Sequence, residues 1–274
     1  VILLDNPGRH VAEARNIALE NLPTSISLMV ELIGHCTVPK NHLEKRLEVW
    51  SSLSKNSSER VAGLGVKVMP SSNDKAIVET WIESALSSKF GSGSGQFENF
   101  SSTSKSVVPA FCMHSRGAVE SVGGWDSEFI TSQDSDLSMR LVKAGYELYR
   151  TDETYVNMVK RSNFISWLKM GYRYGFWRTK IIKKHSNRLS KREFLPWFGV
   201  LLTAILFFSG NSFWYIPVAS YGIVLFIEGI YFSVKWRKFT LILGLPLCLI
   251  ALHTTFSLGL LLGNFRKGKA SNDR

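Results

Sequence analysis

The sequence predicts an α/β domain with a mainly parallel sheet, followed by C-terminal transmembrane helices. Strand-like apolar runs alternate with helical patterns over the first 158 residues, which is typical of βαβ units. Two later stretches, 195–227 and 239–265, contain no Asp, Glu, Lys or Arg, and each is long enough to cross a bilayer. Charge divides the 274 residues at the same place: residues 1–158 carry a net charge of −4, and residues 159–274 carry +15.

The elements of the first part follow from the spacing of apolar residues. Strands are predicted at 1–5 and 27–33, another apolar run occupies 106–113, and helices are predicted at 10–21, from residue 40 onward and at about 133–144. In the second of these helices, Leu43, Leu47 and Trp50 recur at i, i+4 and i+7 and mark its apolar face. The chain begins without Met or a signal-peptide pattern, so we expect a piece of a longer protein whose first strand or strands lie upstream.

The apolar part predicts membrane spans at about 195–210 and 213–234, and one within 239–265. The last stretch is either a single span or a bent hairpin around Pro246, and the sequence does not decide between them. A buried helical hairpin of a soluble core is the alternative to membrane insertion. Residues 169–193 hold nine Lys/Arg and one acidic residue, which places this side in the cytoplasm by the positive-inside rule.

Four segments are therefore expected. They are a domain at 1–160, a basic amphipathic interfacial segment at 161–194, a transmembrane region of two to four helical segments at 195–265, and a basic tail at 266–274. This organisation excludes intrinsic disorder, a disulfide scaffold and an ordinary water-soluble enzyme. The excess of positive charge flanks the spans and no base-stacking fold is evident, so a nucleic-acid partner is not expected.

Several short motifs identify a family when they are taken in order. They are Asp5-Asn6-Pro7-Gly8, Ala14-Arg15-Asn16, Gly34-His35-Cys36, Gly123-Gly124-Trp125-Asp126 and Gln133-Asp134-x-Asp136-Leu137-x-x-Arg140-Leu141. Together they resemble the family 2 inverting glycosyltransferases of GT-A fold. The closest resemblance is to the membrane-anchored, succinoglycan-type glucosyltransferases of bacterial exopolysaccharide synthesis. The later motifs Arg173-Tyr174-Gly175-x-x-Arg178 and His253-x-x-Phe256-x-x-Gly259-x-x-x-Gly263 resemble the same subgroup.

This resemblance implies the roles of the site residues. An inverting transfer needs a base for the attacking acceptor hydroxyl, and in the family an acidic pair at the position of Gln133-Asp134 supplies it. Asp134 is therefore the expected catalytic base, although carboxylates at 134 and 136 would also favour a helix N-terminus. The expected donor- and acceptor-binding residues are Asp5, Arg15, Trp125, Asp126, Gln133, Asp136, Arg173 and Arg178.

The resemblance implies a possible cofactor, a divalent cation (Mg²⁺ or Mn²⁺) held against the donor diphosphate, but the sequence puts this cation in doubt. The family has Asp-x-Asp or Asp-Gly-His at the end of the strand near residue 33, whereas this chain has Ile33-Gly34-His35 and lacks the first ligand. His35 remains a candidate ligand, or a turn histidine bonded to backbone. Glu31 lies on the same strand face as Ile33 and is a candidate substitute for the missing acid.

The resemblance implies transfer of a sugar from a nucleotide-diphosphate donor, a UDP-sugar above all, to a lipid-linked saccharide. The location is the cytoplasmic face of a bacterial inner membrane. The processive-synthase motif Gln-x-x-Arg-Trp is absent from the sequence, which favours the addition of one sugar per acceptor. The alternative is a catalytically degenerate homologue that binds saccharide or partner enzymes at the membrane, and Ile33 is its main support.

Overall fold

A computed structural model of the chain describes residues 2–56, 60–70, 75–91 and 100–268. Within these ranges the chain forms two compact units. The first unit consists of residues 2–70 and 100–159, and the second unit of residues 75–91 and 160–268. Part of the expected basic tail, residues 269–274, lies outside the described ranges.

The first unit contains a mixed sheet and four helices among its described residues. Its helices are α1 (Val11–Glu20), α2 (His42–Asn56), α4 (Arg116–Ser121) and α5 (Gln133–Lys143). Its strands are β1 (Leu28–Val30), β2 (Cys36–Thr37), β3 (Val61–Pro70), β4 (Ser104–Lys105), β5 (Met113–Ser115) and β6 (Glu147–Met158). The second unit is helical: α3 (Ile77–Ser87), α6 (Phe164–Lys184), α7 (Leu195–Phe208), α8 (Ile216–Trp236) and α9 (Leu241–Leu262), with two short 3₁₀ turns before α7.

The α/β class is confirmed, but the sheet is mixed. The strand order is β1-β5-β3-β6-β2, with β4 pairing on β6. Among the described strands, β3 and β6 form the one parallel pair, and the other pairings are antiparallel. The expectation of a mainly parallel sheet is therefore wrong. The direction of a strand depends on the path that the chain takes between strands. Local patterns of apolar residues carry no information about that path.

The core of the first unit lies on both sides of β3. Residues 61–66 of this strand are buried without interruption, as is typical of a strand covered on both faces. One apolar cluster includes Ala12 and Leu19 of α1 together with Leu137 and Leu141 of α5. These contacts pack the two helices that carry the candidate site residues into one core.

Two local predictions are wrong. Residues 2–5 have no regular secondary structure, and Leu3 is 92% exposed, so the predicted terminal strand is not formed there. On α2, Leu43 and Leu47 are exposed, while His42 and Arg46 are buried. Arg46 donates to the carbonyl oxygens of Leu64 and Phe111, at 3.4 and 2.6 Å. These hydrogen bonds replace those that the Arg46 guanidinium would make with water. A charged residue is therefore stable on the buried face of the helix.

The apolar region forms three helices that correspond to the expected spans. Helices α8 and α9, of 21 and 22 residues, are long and apolar enough to cross a membrane by length and composition. Helix α7, at the first expected span, has 14 residues, fewer than the roughly 17–25 that a membrane span needs, so this expectation is not met. Helix α9 continues through Pro246 as a single helix, so the hairpin alternative at this proline is not formed.

Candidate active site

Asp134 lies at the start of α5, where a carboxylate is favoured by the helix dipole. Ser132, the N-cap residue, has a left-handed backbone conformation with φ of 69°. This is a strained conformation for a residue with a side chain, and it turns the chain sharply into the helix. The side chain of Asp134 is 52% exposed, which leaves the carboxylate accessible to a ligand.

Arg15, from the middle of α1, joins two carboxylates that are distant in sequence. Its Nη1 lies 2.5 Å from Asp134 Oδ1, and its Nη2 lies 2.6 Å from Glu31 Oε2. The side chains of Arg15 and Glu31 are 17% and 18% exposed. Within the described residues, Asp134 Oδ2 has no protein partner, so one oxygen holds the guanidinium while the other is available.

A second contact joins α1 to the loop before α5. Asn16 Nδ2 donates to the carbonyl oxygen of Trp125 at 2.7 Å, and the amide of Trp125 donates to Asn16 Oδ1 at 2.8 Å. Gly124 precedes this tryptophan with φ of +72°, and a Cβ at this position would lie 2.6 Å from Asn16 Oδ1. The Gly-Gly-Trp-Asp motif therefore has a structural reason: glycine provides both the backbone conformation and the space for Asn16.

Trp125 forms the apolar wall of the site. Its side chain is 4% exposed, and the Arg15 guanidinium carbon lies 5.7 Å from the centroid of its ring. His114, from β5, meets the same ring edge-on with centroids 5.8 Å apart. A cation held against an indole face gains electrostatic stabilisation in addition to its contacts with Asp134 and Glu31. Arg15 is thus fixed on three sides.

Burial determines the charge states around Arg15. Burial raises the pKa of Glu31 to about 8, Arg15 opposes this shift, and the negative charge of Asp134 adds to it. Burial lowers the pKa of His114 to about 4, so this imidazole is neutral at neutral pH. Its Nε2 lies 3.6 Å from Glu31 Oε1, which is beyond hydrogen-bonding distance.

The other expected residues of the first unit occupy different environments. Asp136 is fully buried and pairs with Arg140 at 2.8 Å, and Arg140 also donates to the carbonyls of Val122 and Gly124. This arrangement braces the loop that carries Trp125. Asp126 accepts the amide of Glu128 at 2.9 Å, at the start of the turn that leads to α5.

Gln133 and Asp5 complete the expected set in this unit. Gln133 is 8% exposed, and its buried Oε1 has no hydrogen-bond partner among the described residues. A buried acceptor without a partner costs free energy unless a ligand or water satisfies it. Asp5 is exposed in a segment without regular secondary structure.

The residues present do not fit a divalent cation. Ile33 contributes no ligand, and the carboxylate of Glu31 is taken by Arg15. His35 is exposed in a turn, where its carbonyl accepts the amide of Val159 at 3.1 Å. Across the ranges that the structure describes, no three His, Cys, Asp or Glu side chains converge as cation ligands. A guanidinium, rather than a set of oxygen ligands, is what these residues bring together.

Arg173 and Arg178 belong to the second unit, on α6. Arg178 binds Glu193 through two nitrogens, at 2.9 and 2.5 Å, and donates to the carbonyl of Arg188 at 2.8 Å. This bidentate pair connects α6 to the segment before α7. Arg173 is partly buried on the same helix.

Sequence reasoning did not predict the role of three residues at this site. Asn16 belongs to a quoted motif, but its two bonds to Trp125 depend on a loop 109 positions away. The sequence predicts Glu31 as a candidate cation ligand, whereas in the structure its carboxyl group binds Arg15. His114 precedes the Gly-Gly-Trp-Asp motif in the sequence, and no sequence pattern indicates its edge-on contact with Trp125. An acidic residue within an otherwise apolar strand was the one signal that pointed to Glu31.

Comparisons with known proteins identify the family of the chain. The family model described as "Glycosyl transferase family group 2" matches residues 25–261. The chain is 27% identical over 217 residues to the succinoglycan biosynthesis protein ExoA of Rhizobium meliloti (strain 1021), covering 75% of this chain and 62% of that protein. It is 26% identical over 146 residues to a dolichyl N-acetyl-alpha-D-glucosaminyl phosphate 3-beta-D-2,3-diacetamido-2,3-dideoxy-beta-D-glucuronosyltransferase of Methanococcus voltae, covering 51% and 41%.

The chain thus spans less than two thirds of the length of each of these relatives. The family match covers most of the chain, and it includes Glu31 directly after β1, the loop of Trp125 and the helix of Asp134. The protein belongs to Glycosyl transferase family group 2.

Proposed function

We propose that this protein transfers one sugar from a nucleotide-diphosphate donor, a UDP-sugar, to a lipid-linked saccharide with inversion at the anomeric carbon. The observation that carries the proposal is the exposed carboxylate of Asp134, fixed by Arg15 at the start of α5. The names of the relatives support the acceptor class, since one acts in succinoglycan biosynthesis and the other on a dolichyl-linked sugar. The location we propose is the cytoplasmic face of a bacterial inner membrane.

In this proposal, Asp134 Oδ2 accepts the proton of the attacking acceptor hydroxyl. The acceptor oxygen forms a bond to the anomeric carbon as the bond from that carbon to the diphosphate oxygen breaks on the opposite face. The nucleoside diphosphate leaves with the electron pair of the broken bond. Arg15 holds the base in position through Oδ1, and its remaining N–H groups can donate to a phosphate oxygen of the leaving diphosphate.

Asp5, Trp125, Asp126 and Gln133 are proposed to line the donor and acceptor positions, and Arg173 and Arg178 to bind phosphate groups. Asp136 is proposed to act through Arg140 on the Trp125 loop, because its carboxylate is fully buried. His35 is not retained as a cation ligand, and no step is assigned to a divalent cation.

The test is sugar transfer from radiolabelled UDP-glucose, UDP-galactose and related donors into lipid extract, with membranes that contain the full-length protein. Asp134→Asn should reduce transfer by about 10²-fold or more, which is the range for loss of a general base. Glu44→Gln, an exposed acid on α2, is the control and should retain activity. Excess EDTA should leave transfer within about twofold of the untreated rate, because the described residues supply a guanidinium where a cation site is expected.

A catalytically degenerate binder is the second candidate, and the observation that favours it is Ile33 at the position of the family acid. Folded protein that binds saccharide but gives no transfer with any donor would support it. Transfer that survives Asp134→Asn would remove this residue from the mechanism, and transfer lost in EDTA and restored by Mn²⁺ would establish a cation site.

A further inference from the structure

Helix α9 is apolar and long enough to span a bilayer, but a basic helix accompanies it along most of its length. Trp167 Nε1 of α6 donates to the carbonyl of Cys248 at 2.9 Å, and Thr179 Oγ1 of α6 donates to the carbonyl of Leu260 at 2.8 Å. The two contacts are separated by twelve positions on each helix. Helices α6 and α9 therefore run side by side in the same direction.

The two helices are in backbone contact. A Cβ on Gly175 of α6 would lie 2.0 Å from the carbonyl oxygen of Phe256, and a Cβ on Gly259 of α9 would lie 2.1 Å from the carbonyl oxygen of Tyr172. Glycine at such crossings allows helices to approach closely. Helices α6 and α9 must therefore lie at the same depth in the membrane.

This pairing places charge beside the middle of α9. Lys169 is exposed on α6 two residues after Trp167, so it lies level with about residue 250 of α9. If α9 crossed a bilayer, Lys169 would be near the centre of the hydrocarbon. Insertion of a lysine at this depth is unfavourable, and Arg173 follows one turn later.

Polar loop backbone meets the middle of both apolar helices as well. His253 Nε2 of α9 lies 2.8 Å from the carbonyl oxygen of Phe90, and Ser88 Oγ donates to Glu228 Oε1 of α8 at 2.7 Å. Lys89 and Phe90, in the segment after α3, are exposed. Irregular backbone exposed at the centre of a bilayer has no water to satisfy it, so a spanning arrangement is disfavoured for α8 and α9.

The exposed surface of α9 is a single apolar stripe. Its members follow helical spacing and are Leu243, Leu247, Ile250, Thr254, Leu258 and Leu261. Exposed lysines lie at the end of α6 and before α7, at 183, 184 and 191, and partly exposed aromatic residues stand at the start of α8. An apolar stripe with basic and aromatic flanks is typical of a helix that lies in the membrane interface.

We propose that α6, α8 and α9 lie in the plane of one leaflet and bind anionic phospholipid from one side, without crossing the bilayer. The stripe of α9 and the exposed apolar residues of α7 and α8 enter the acyl region. The lysines remain at the level of the phosphate groups. The second unit then attaches the protein to the membrane as a monotopic anchor.

Labelling of single cysteines from either side of the membrane tests this arrangement. The native Cys36, Cys112 and Cys248 are replaced by Ser or Ala, and the probes are Asn187→Cys, Ser212→Cys, Phe239→Cys and Phe265→Cys, all at exposed positions. An impermeant maleimide is applied to spheroplasts and to inverted vesicles of a bacterial host. We expect all four positions to react only in inverted vesicles.

Each spanning arrangement gives a different result. A crossing hairpin of α7 and α8 would place residue 212 on the opposite side from 187. A crossing hairpin of α8 and α9 would place residue 239 there, and a third span would place residue 265 there. Labelling of any of these three positions in spheroplasts would overturn the proposal. Asn187→Cys serves as the internal reference, and a melting curve confirms that each cysteine variant is folded.

A vesicle flotation assay tests the lipid contact itself. Detergent-free protein is mixed with vesicles of phosphatidylcholine alone or with 30% phosphatidylglycerol, in about 0.1 M salt. Binding should be stronger to the anionic vesicles, and Leu247→Glu should weaken it about tenfold or more, as expected when a buried leucine is lost. Leu43→Glu, at an exposed leucine of α2, is the matched control. Equal binding of the two variants, or a stable oligomer that covers the stripe, would refute the lipid contact.

Discussion

At the scale of single residues, the site depends on one arginine between two carboxylates of different exposure. Asp134 is half exposed, whereas Glu31 is largely buried and its pKa is raised to about 8. Below pH 8, Glu31 is therefore mainly protonated, and the charge of Arg15 is balanced by Asp134 alone. A guanidinium matches the geometry of phosphate oxygens, which supports the proposed contact of Arg15 with the donor diphosphate.

The ionisation of Glu31 predicts a pH dependence of donor binding. As pH rises through about 8, Glu31 gains a negative charge that offsets Arg15 and repels diphosphate. The groups that face it are Arg15, Asp134, His114 and the Cys112 thiol. Affinity for UDP, measured by calorimetry in detergent, should fall roughly fivefold from pH 7 to pH 9, about 1 kcal/mol for one partly screened charge.

Glu31→Gln is the control for this prediction, because glutamine keeps the shape of the protonated acid and cannot ionise. Its affinity should stay level between pH 7 and pH 9. A fall of the same size in the Glu31→Gln variant would assign the pH dependence to another group.

At the scale of elements, the packing of α6 against α9 depends on close contact between their backbones. Helical periodicity predicts each helix separately, and the positions of their glycines are visible in the sequence. The pairing of Gly175 with Phe256 and of Gly259 with Tyr172 is not visible, since it depends on how two helices more than 80 residues apart are aligned.

Gly175→Ala tests this contact. The added Cβ would lie 2.0 Å from a backbone oxygen, so the helices must separate. We expect a loss of about 1–3 kcal/mol in the free energy of unfolding, the usual cost of overpacking, measured by thermal denaturation in detergent. Gly222→Ala, on α8 with no atom within 4 Å of its Cβ, should be neutral or stabilising. Equal melting temperatures for the two variants would show that the contact does not limit stability.

At the scale of the whole molecule, the second unit is held together by a buried ion cluster in addition to its apolar contacts. In the second unit, Glu83 of α3 pairs with Lys75 and, at 2.9 Å, with Lys160. The side chains of Glu83 and Lys160 are 3% and 6% exposed. One carboxylate therefore compensates two ammonium groups from segments far apart in the chain.

Removal of this carboxylate should destabilise the second unit. Glu83→Gln leaves Lys75 and Lys160 without their shared counter-charge, which typically costs about 3–5 kcal/mol for a broken buried pair. Thermal unfolding followed by tryptophan fluorescence measures the effect. Glu79→Gln, one turn earlier and more exposed, should cost under about 1 kcal/mol. A Glu83→Gln variant that is as stable as Glu79→Gln would contradict the structural role of the cluster.

Local patterns in the sequence determined the α/β class, the helices that carry Arg15 and Asp134, the apolar helices and the family. Helical spacing and helix-end preferences act within a few residues, so α1 was predicted to within one residue at each end and α5 to within one residue at its end. The sequence does not predict strand β3, which is buried on both faces. A continuous apolar run lacks the periodicity that distinguishes a strand from a buried helix.

Tertiary structure alone decided the mixed sheet, the role of Glu31 and the depth that we propose for α9. Arg15 and Asp134 are 119 positions apart, and their ion pair exists only because α1 and α5 pack in one core. The basic helix beside α9 likewise depends on a contact between residues 81 positions apart. The sequence contains the chemical groups of this protein, but the distances between them, which set their charge states and their function, arise only when distant segments pack together.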